Sequence, residues 1–250
     1  EVRRRIGYLP ENPPLYPDMT VEGFLFFVAR IKGVVAGDRA SRVNSAIERC
    51  QLQEKRKILI RKLSKGYRQR VGIAQALVHD PPVIVLDEPT IGLDPRQIIE
   101  VRKLIRSLAG THTIILSTHI LPEVSMTCDR ITIINRGKVV ATNTPSNLMA
   151  QLSAGSGYEL EVEGDVTQVR SLLENIAGVS LVETNPNKLE GNRSLIRVTY
   201  TPEAEPGKEI ASAIVNSGLG LYEMRRTRPT LEDVFLQLTT KDIGEVTSNE

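Results

Sequence analysis

From Thr20 to about residue 80 the apolar positions recur at helical spacing; beyond that, short apolar runs alternate with helical stretches. In "TVEGFLFFVARIKGV", Thr20 is placed to cap a helix, and Phe24, Phe27, Val28 and Ile31 fall on one face. Glycines at 33 and 37 end it, and a second helical pattern runs from about Arg39 to Cys50. A mostly helical segment therefore spans residues 12–62, behind the proline-rich "YLPENPPLYPDMT". "LSKGYRQRVGIAQALVHDPP" sets a Ser/Gly turn at the head of a helix striped by Val71, Ala74, Leu77 and Val78 and stopped by Asp80-Pro81-Pro82. "VIVLDEP" is a continuous apolar run, as expected of a parallel strand buried on both faces. Residues 95–108 read as a helix, "TIILSTH" as a second buried strand, and Leu121 to Thr127 as a short helix. "RITIINRGKVVA" alternates around Arg136-Gly137 as a hairpin. Strands alternating with helices predict an α/β sheet.

At "QLSAGSGYE" small residues mark a linker and the rhythm shortens. Tyr158, Leu160 and Val162 alternate; Val169, Leu172, Leu173 and Ile176 step helically; "SLVET" is a brief strand before the polar loop "NPNKLEGN". Ile196, Val198 and Tyr200 alternate again, Ile210, Ala213 and Ile214 lie on a helix, and "GLYEMR" is a last strand. "PTLEDVFLQLTT" starts a closing helix at Pro229, and "GEVTSNE" reads as a frayed tail. The pattern is β-α-β-β-α-β plus a helix, the split βαβ arrangement of ferredoxin-like domains. Two domains are expected, 1–152 and 157–240.

Composition narrows the function classes. A net charge of +2 over 250 residues argues against nucleic acid or an anionic membrane as partner. Six Tyr, four Phe and no Trp leave no stacking platform for single strands. Cys50 and Cys128 are far apart with no CxxC pattern, and read as two reduced thiols of a cytosolic protein. No apolar run approaches the length of a membrane span.

The candidate chemistry gathers at strand ends. A buried strand that ends in Asp87 and Glu88 exposes both carboxylates at the carboxyl edge of the sheet, where α/β proteins bind ligands. Asp87 would hold Mg²⁺, and Glu88 would orient or deprotonate a water. Ser64 and Gly66 at a helix start offer an anion site of free N–H groups, or else an ordinary cap. His119, just past "TIILST", can donate to a phosphate; His79 and His112 sit in loop-like stretches and carry no such pattern.

"LSKGYRQR", "VIVLDEP", "GLDP" and "STH" stand in the order and at the spacing of ABC-type ATPase domains, and the chain resembles the ATP-binding subunit of an ABC transporter over essentially its whole length. The "PTLEDVF" near the end resembles the branch with a small C-terminal domain. The resemblance implies a P-loop (RecA-like) α/β core with a helical subdomain and a C-terminal ferredoxin-like α+β domain. It implies that Ser64, Lys65 and Gly66 belong to the signature motif and contact ATP held by a paired subunit. Asp87 becomes the Walker B aspartate, Glu88 the catalytic glutamate, Asp94 the D-loop aspartate and His119 the switch histidine. Glu11 falls where many relatives carry a Gln near Mg²⁺ and water, and a carboxylate cannot donate as an amide does. Lys65 and Tyr67 also depart from the commoner Gly and Gln. ATP and Mg²⁺ are the implied cofactors. The implied partners are a membrane-spanning permease and a second ATPase subunit, commonly an identical one, at the inner face of the membrane.

No GxxxxGK[ST] phosphate loop occurs in the 250 residues, and "EVRRRIGYLPE" reads as a cut edge at the point where the family's loop has already passed. The chain by itself is therefore expected neither to bind ATP tightly nor to turn it over. Besides a transport ATPase, two readings compete: a soluble ABC ATPase of translation or DNA repair, and a naturally short regulatory or dimerising chain.

Overall fold

The computed structural model describes residues 2–150, 157–184, 193–201, 204–227 and 229–240. The linker at 151–156, the polar loop at 185–192 and the tail at 244–250 lie outside the described residues. The chain divides into two compact units, Glu1–Cys128 and Asp129–Glu250.

In the first unit, strands β1 (Ile6–Leu9), β2 (Val83–Asp87) and β3 (Thr113–Ser117) form a parallel sheet in the order β1-β2-β3. Its register pairs Leu86 with Leu9 on one side and Leu116 on the other, and Asp87 with Ser117. Helices α1 (Val21–Ile31), α2 (Arg39–Arg49), α3 (Lys65–Leu77), α4 (Pro95–Ala109) and α5 (Leu121–Thr127) complete the unit. Thr20 caps α1 by accepting from the Gly23 N–H at 3.1 Å, as its position predicts.

The buried side of α1 is Val21, Phe24, Leu25, Val28 and Ala29, whereas Phe27 and Ile31, expected on the apolar face, are exposed. The stripe is centred on α2 and α3, which α1 packs against, and this turns Phe27 and Ile31 outward. Tyr16 covers part of the Phe27 ring edge-on, with centroids 5.3 Å apart. The stripe foreseen for α3 is buried, but so are Gly66, Gln69, Arg70, Gly72, Ile73 and Ala76, so that helix is enclosed on most sides. "TIILSTH" is less buried than its apolar run predicts: Ile115 is exposed, and Ile114 and Leu116 are only half-buried. Among the described residues β3 is an edge strand, paired on one side only.

His79 lies just past α3, half-buried, with Nε2 3.3 Å from the Ile6 carbonyl. Burial and the neighbouring Lys32 pull its pKa down to about 4, against smaller opposing contributions from the Ile6 carbonyl and Asp80. The folded protein thus binds this proton later than the unfolded chain, and the stability His79 contributes is present above about pH 6.5 and lost as pH falls toward 4. The urea midpoint should therefore drop further between pH 7 and pH 5 in the wild type than in His79→Asn. Equal drops would show that His79 is protonated alike in both states.

In the second unit β4 (Ile131–Asn135) and β5 (Lys138–Asn143) make the expected hairpin, turning through Arg136 at φ 48° and Gly137 at φ 76°. Helix α6 (Pro145–Ala150) follows. Strands β6 (Gly157–Glu163), β7 (Val179–Thr184), β8 (Arg193–Tyr200) and β9 (Gly220–Thr227) form an antiparallel sheet in the order β7-β8-β6-β9. Helices α7 (Val166–Glu174) and α8 (Gly207–Asn216) lie between them in sequence, and α9 (Leu231–Thr240) closes the chain. Leu160, Val162, Ile196 and Val198 meet Val169, Leu173, Ile210 and Ile214 in one core. The opposite sheet face carries Glu159, Glu161 and Glu163 between arginines: Arg193 pairs with Glu161 at 3.0 Å, and Arg225 pairs with Glu159.

Candidate active site

β2 delivers Asp87 and Glu88 to the carboxyl edge of the first unit's sheet. Asp87 ends the strand, half-buried, and no described side chain hydrogen-bonds its carboxylate. Glu88 leaves the strand at φ 45°, a left-handed conformation that a non-glycine residue holds only when its surroundings enforce it. Its N–H donates to the Ser117 carbonyl at 2.8 Å, extending the β2–β3 ladder by one bond. That turn carries the side chain across the end of β3.

There the carboxylate, 15 % exposed, accepts three hydrogen bonds. His119 Nδ1 is 2.6 Å from Oε1, the His119 N–H donates to the same oxygen at 3.0 Å, and Thr118 Oγ1 donates to Oε2 at 3.0 Å. Burial alone pushes the carboxyl up, but the bonds from the His119 ring, the Thr118 hydroxyl and the His119 N–H outweigh it, and Glu88 titrates below the ordinary range. His119 moves the other way, raised first by its bond to Glu88 and by that carboxylate's charge, with Glu11 and Glu123 adding smaller contributions. The pair is charged between these two shifted values. It weakens as pH falls through the lowered Glu88 value or rises through the raised His119 value. The His119 side chain is 73 % exposed, so the pair stands open at the strand ends.

The other candidates form a second group. Ser64 caps α3, its Oγ accepting from the Tyr67 N–H at 3.4 Å, which leaves its own proton to donate. Asp94 caps α4, accepting from the Gln97 N–H at 3.0 Å, with Pro95 at the first helical position. The two caps face one another. A Cβ at Gly66 would sit 2.7 Å from the Gln97 side chain, and one at Gly92, where φ is 66°, would sit 2.1 Å from Lys65 Nζ. Lys65 therefore folds over the turn ahead of Asp94. Among the described residues no hydrogen bond or ion pair links this group to Glu88 and His119. Glu11 is exposed in the loop after β1, near enough to His119 to act through its charge.

Tyr67 has a structural occupation: its ring packs on the core, with Lys55 and Arg70 over it at 5.2 and 5.9 Å. Arg70 continues to Glu100 at 2.6 Å, tying α3 to α4. His112 is buried and structural, with Nδ1 2.7 Å from the Pro81 carbonyl and Nε2 3.0 Å from Arg49. Thr118 and the buried Thr90 and Glu123 escape the sequence pattern; Ser and Thr near a strand end look alike whether they cap or hold a catalytic group.

The ABC transporter family profile matches residues 1–91. The chain is 32 % identical to the daunorubicin resistance ATP-binding protein DrrA3 of Streptomyces coeruleorubidus, over 96 % of this chain and 74 % of that protein. It belongs to the ABC transporter ATP-binding proteins. The bacitracin transport ATP-binding protein BcrA of Bacillus licheniformis is also 32 % identical, over 95 % of this chain and 74 % of its own length. Among solved structures, an ATP-binding subunit of an ABC transporter superposes with a TM-score of 0.51 at 32 % identity, covering 60 % of this chain and 62 % of that one. The cbiO1 protein of Clostridium perfringens, part of the cbiONQ ABC transporter complex, gives a TM-score of 0.56 at 30 % identity, over 60 % and 61 %. The chain thus spans about three-quarters of the curated ABC relatives and about three-fifths of the solved ones. Among the described residues of this ABC protein, no helix is long and apolar enough to cross a membrane.

Proposed function

We propose that the chain is the ATP-binding and ATP-hydrolysing part of an ABC exporter, with Glu88 as the base and His119 as its partner. The observation that carries the reading is the Glu88 carboxylate held at the strand end by His119 and Thr118, with the exposed His119 ring leaving the pair open to solvent on one side. A carboxylate kept ionised and fixed in direction can accept a proton from an attacking water without first reorganising. His119, sharing that carboxylate, is placed to donate toward the oxygens of a phosphate.

Mg²⁺, which neutralises phosphate charge when bound, suits Asp87: a hard oxygen ligand at the strand end with no competing side-chain partner. Glu11 is a second oxygen ligand on the loop that acts on His119 through its charge. Ser64, Lys65 and Gly66, grouped with Asp94 away from the Glu88–His119 pair, fit contact with a nucleotide bound mainly by another subunit. That favours a pair of ATPase subunits closing on two nucleotides. Because these 250 residues contain no GxxxxGK[ST], the polypeptide alone should bind ATP weakly. In the second unit, the strand order supports a ferredoxin-like accessory domain at 157–240, which in sequence follows an ATPase domain at 1–152.

The relatives' resistance and bacitracin-transport names favour export and a membrane-spanning permease as partner, with the ATPase held at the inner face of the membrane. A soluble ABC ATPase is the alternative, and purification separates them. Full-length protein tagged and extracted in mild detergent should bring down a polytopic membrane protein in stoichiometric amount. Recovery in the soluble fraction with ribosomes or DNA would overturn the transport reading.

A further inference from the structure

Near the Glu88–His119 pair lies a buried carboxylate that is hydrogen-bonded to neither of them. Glu123, in the first turn of the short helix α5, is 2 % exposed. Both its oxygens are engaged: Oε2 accepts from Thr90 Oγ1 at 2.5 Å and Oε1 from the Arg102 guanidinium at 3.2 Å. Thr90 is itself 2 % exposed and stands two residues beyond Glu88. A buried ion pair is a poor way to stabilise a core, since apolar groups of like volume do as well. Its directional bonds are what apolar packing cannot supply.

Those bonds complete a ring. Glu88 accepts from Thr118 Oγ1, which in turn accepts from the Ile120 N–H at 3.2 Å. The Ile120 carbonyl accepts from the Glu123 N–H at 2.9 Å, the Glu123 carboxylate accepts from Thr90, and the buried Pro89 returns the chain to Glu88. The ring joins the two segments that must stay in register for Glu88 to meet His119. We propose that Glu123, clamped between Thr90 and Arg102, is a positioning residue that holds the Glu88 turn against the His119 loop. The inference rests on Glu88 and His119 being the working pair.

Hydrogen exchange at the His119 amide reads the geometry directly, because that N–H donates to Glu88 Oε1. Thr90→Val removes one hydroxyl without altering charge or size. It should speed exchange at His119 about ten-fold, the cost of one loosened hydrogen bond, while amides of the β2–β3 ladder keep their rates. Thr90→Ser should restore the wild-type rate. An unchanged rate at His119 in folded Thr90→Val overturns the proposal; so does equal acceleration along the whole ladder, which would make Glu123 a general prop of the fold. Should Thr90→Val not fold, Arg102→Lys decides, since it keeps the charge and loses only the planar fork. Acceleration confined to His119 and its neighbours supports the clamp, and none overturns it. The measurement needs no nucleotide. Full turnover in Glu88→Gln would overturn the catalytic reading and leave this result standing.

Discussion

Glu88→Gln in the full-length protein should cut ATP turnover by at least about a hundred-fold while ATP binding persists, because a general base contributes on the order of 10²–10⁴ to rate. The geometry makes the substitution clean. The Gln carbonyl can still accept from the His119 N–H, and the new amide group can donate to Thr118 Oγ1 or to a neutral His119 Nδ1, so the side chain keeps its place. Only the proton-accepting carboxylate goes. With it goes the charge that raises His119, whose pKa should fall back toward 6.5. Two ATPase subunits should then close on unhydrolysed ATP and stay closed. Phosphate release and gel filtration in Mg²⁺-ATP check both expectations. Wild-type turnover in the variant would remove Glu88 as the base, and hydrolysis lost without a trapped dimer would remove the paired-subunit reading.

The candidate residues can be named from the sequence, whereas the bonds that connect Glu88 to Thr118 and His119 cannot. "VIVLDEP" announces a strand ending in two carboxylates because four apolar residues run without a break and Pro follows. The same letters do not say that Glu88 takes a left-handed φ of 45°, since the bond made there reaches Ser117, 29 residues further along the chain. Thr118 was hidden for a similar reason: it matters only once β2 and β3 lie side by side. Phe27 and Ile31 show the limit of periodicity on a helix. A step of 100° per residue leaves two overlapping stripes in "FLFFVARI", and contact with α2 and α3 selects the one through Leu25 and Ala29. β3 shows the limit of hydrophobicity on a strand: Ile115 is in register with Val85 and Tyr8 on the less buried face of the sheet, and its apolar letters do not reveal that. By contrast, the hairpin at Arg136-Gly137 is locally determined and was legible from the alternation and the turn residues alone.

Gly7→Ala tests the packing that relates two parts of the site. Gly7 is buried in β1, where strand propensity by itself makes alanine the better residue. The structure predicts the reverse. A Cβ at position 7 would lie 2.2 Å from the Ala76 carbonyl oxygen and 3.0 Å from Pro81 Cγ, so the backbone of α3 would have to withdraw from the strand. Backbone does not yield as a side chain does, and overpacking here should cost about 3 kcal/mol, the upper part of the usual range. Gly72→Ala, on the facing side of the same contact, meets the flexible end of Leu9 at 2.6 Å and the Pro13 ring at 3.1 Å, and should cost less. The consequence reaches the candidate site because β1 ends two residues before Glu11 and α3 begins just after its cap, Ser64. Parting the two elements shifts the loop that carries Glu11 relative to the turn at Ser64. Urea denaturation of the wild type and both variants checks the order: the Gly7→Ala midpoint should fall well below that of Gly72→Ala. Gly7→Ala as stable as the wild type would mean that β1 and α3 do not approach as closely as the structure has them.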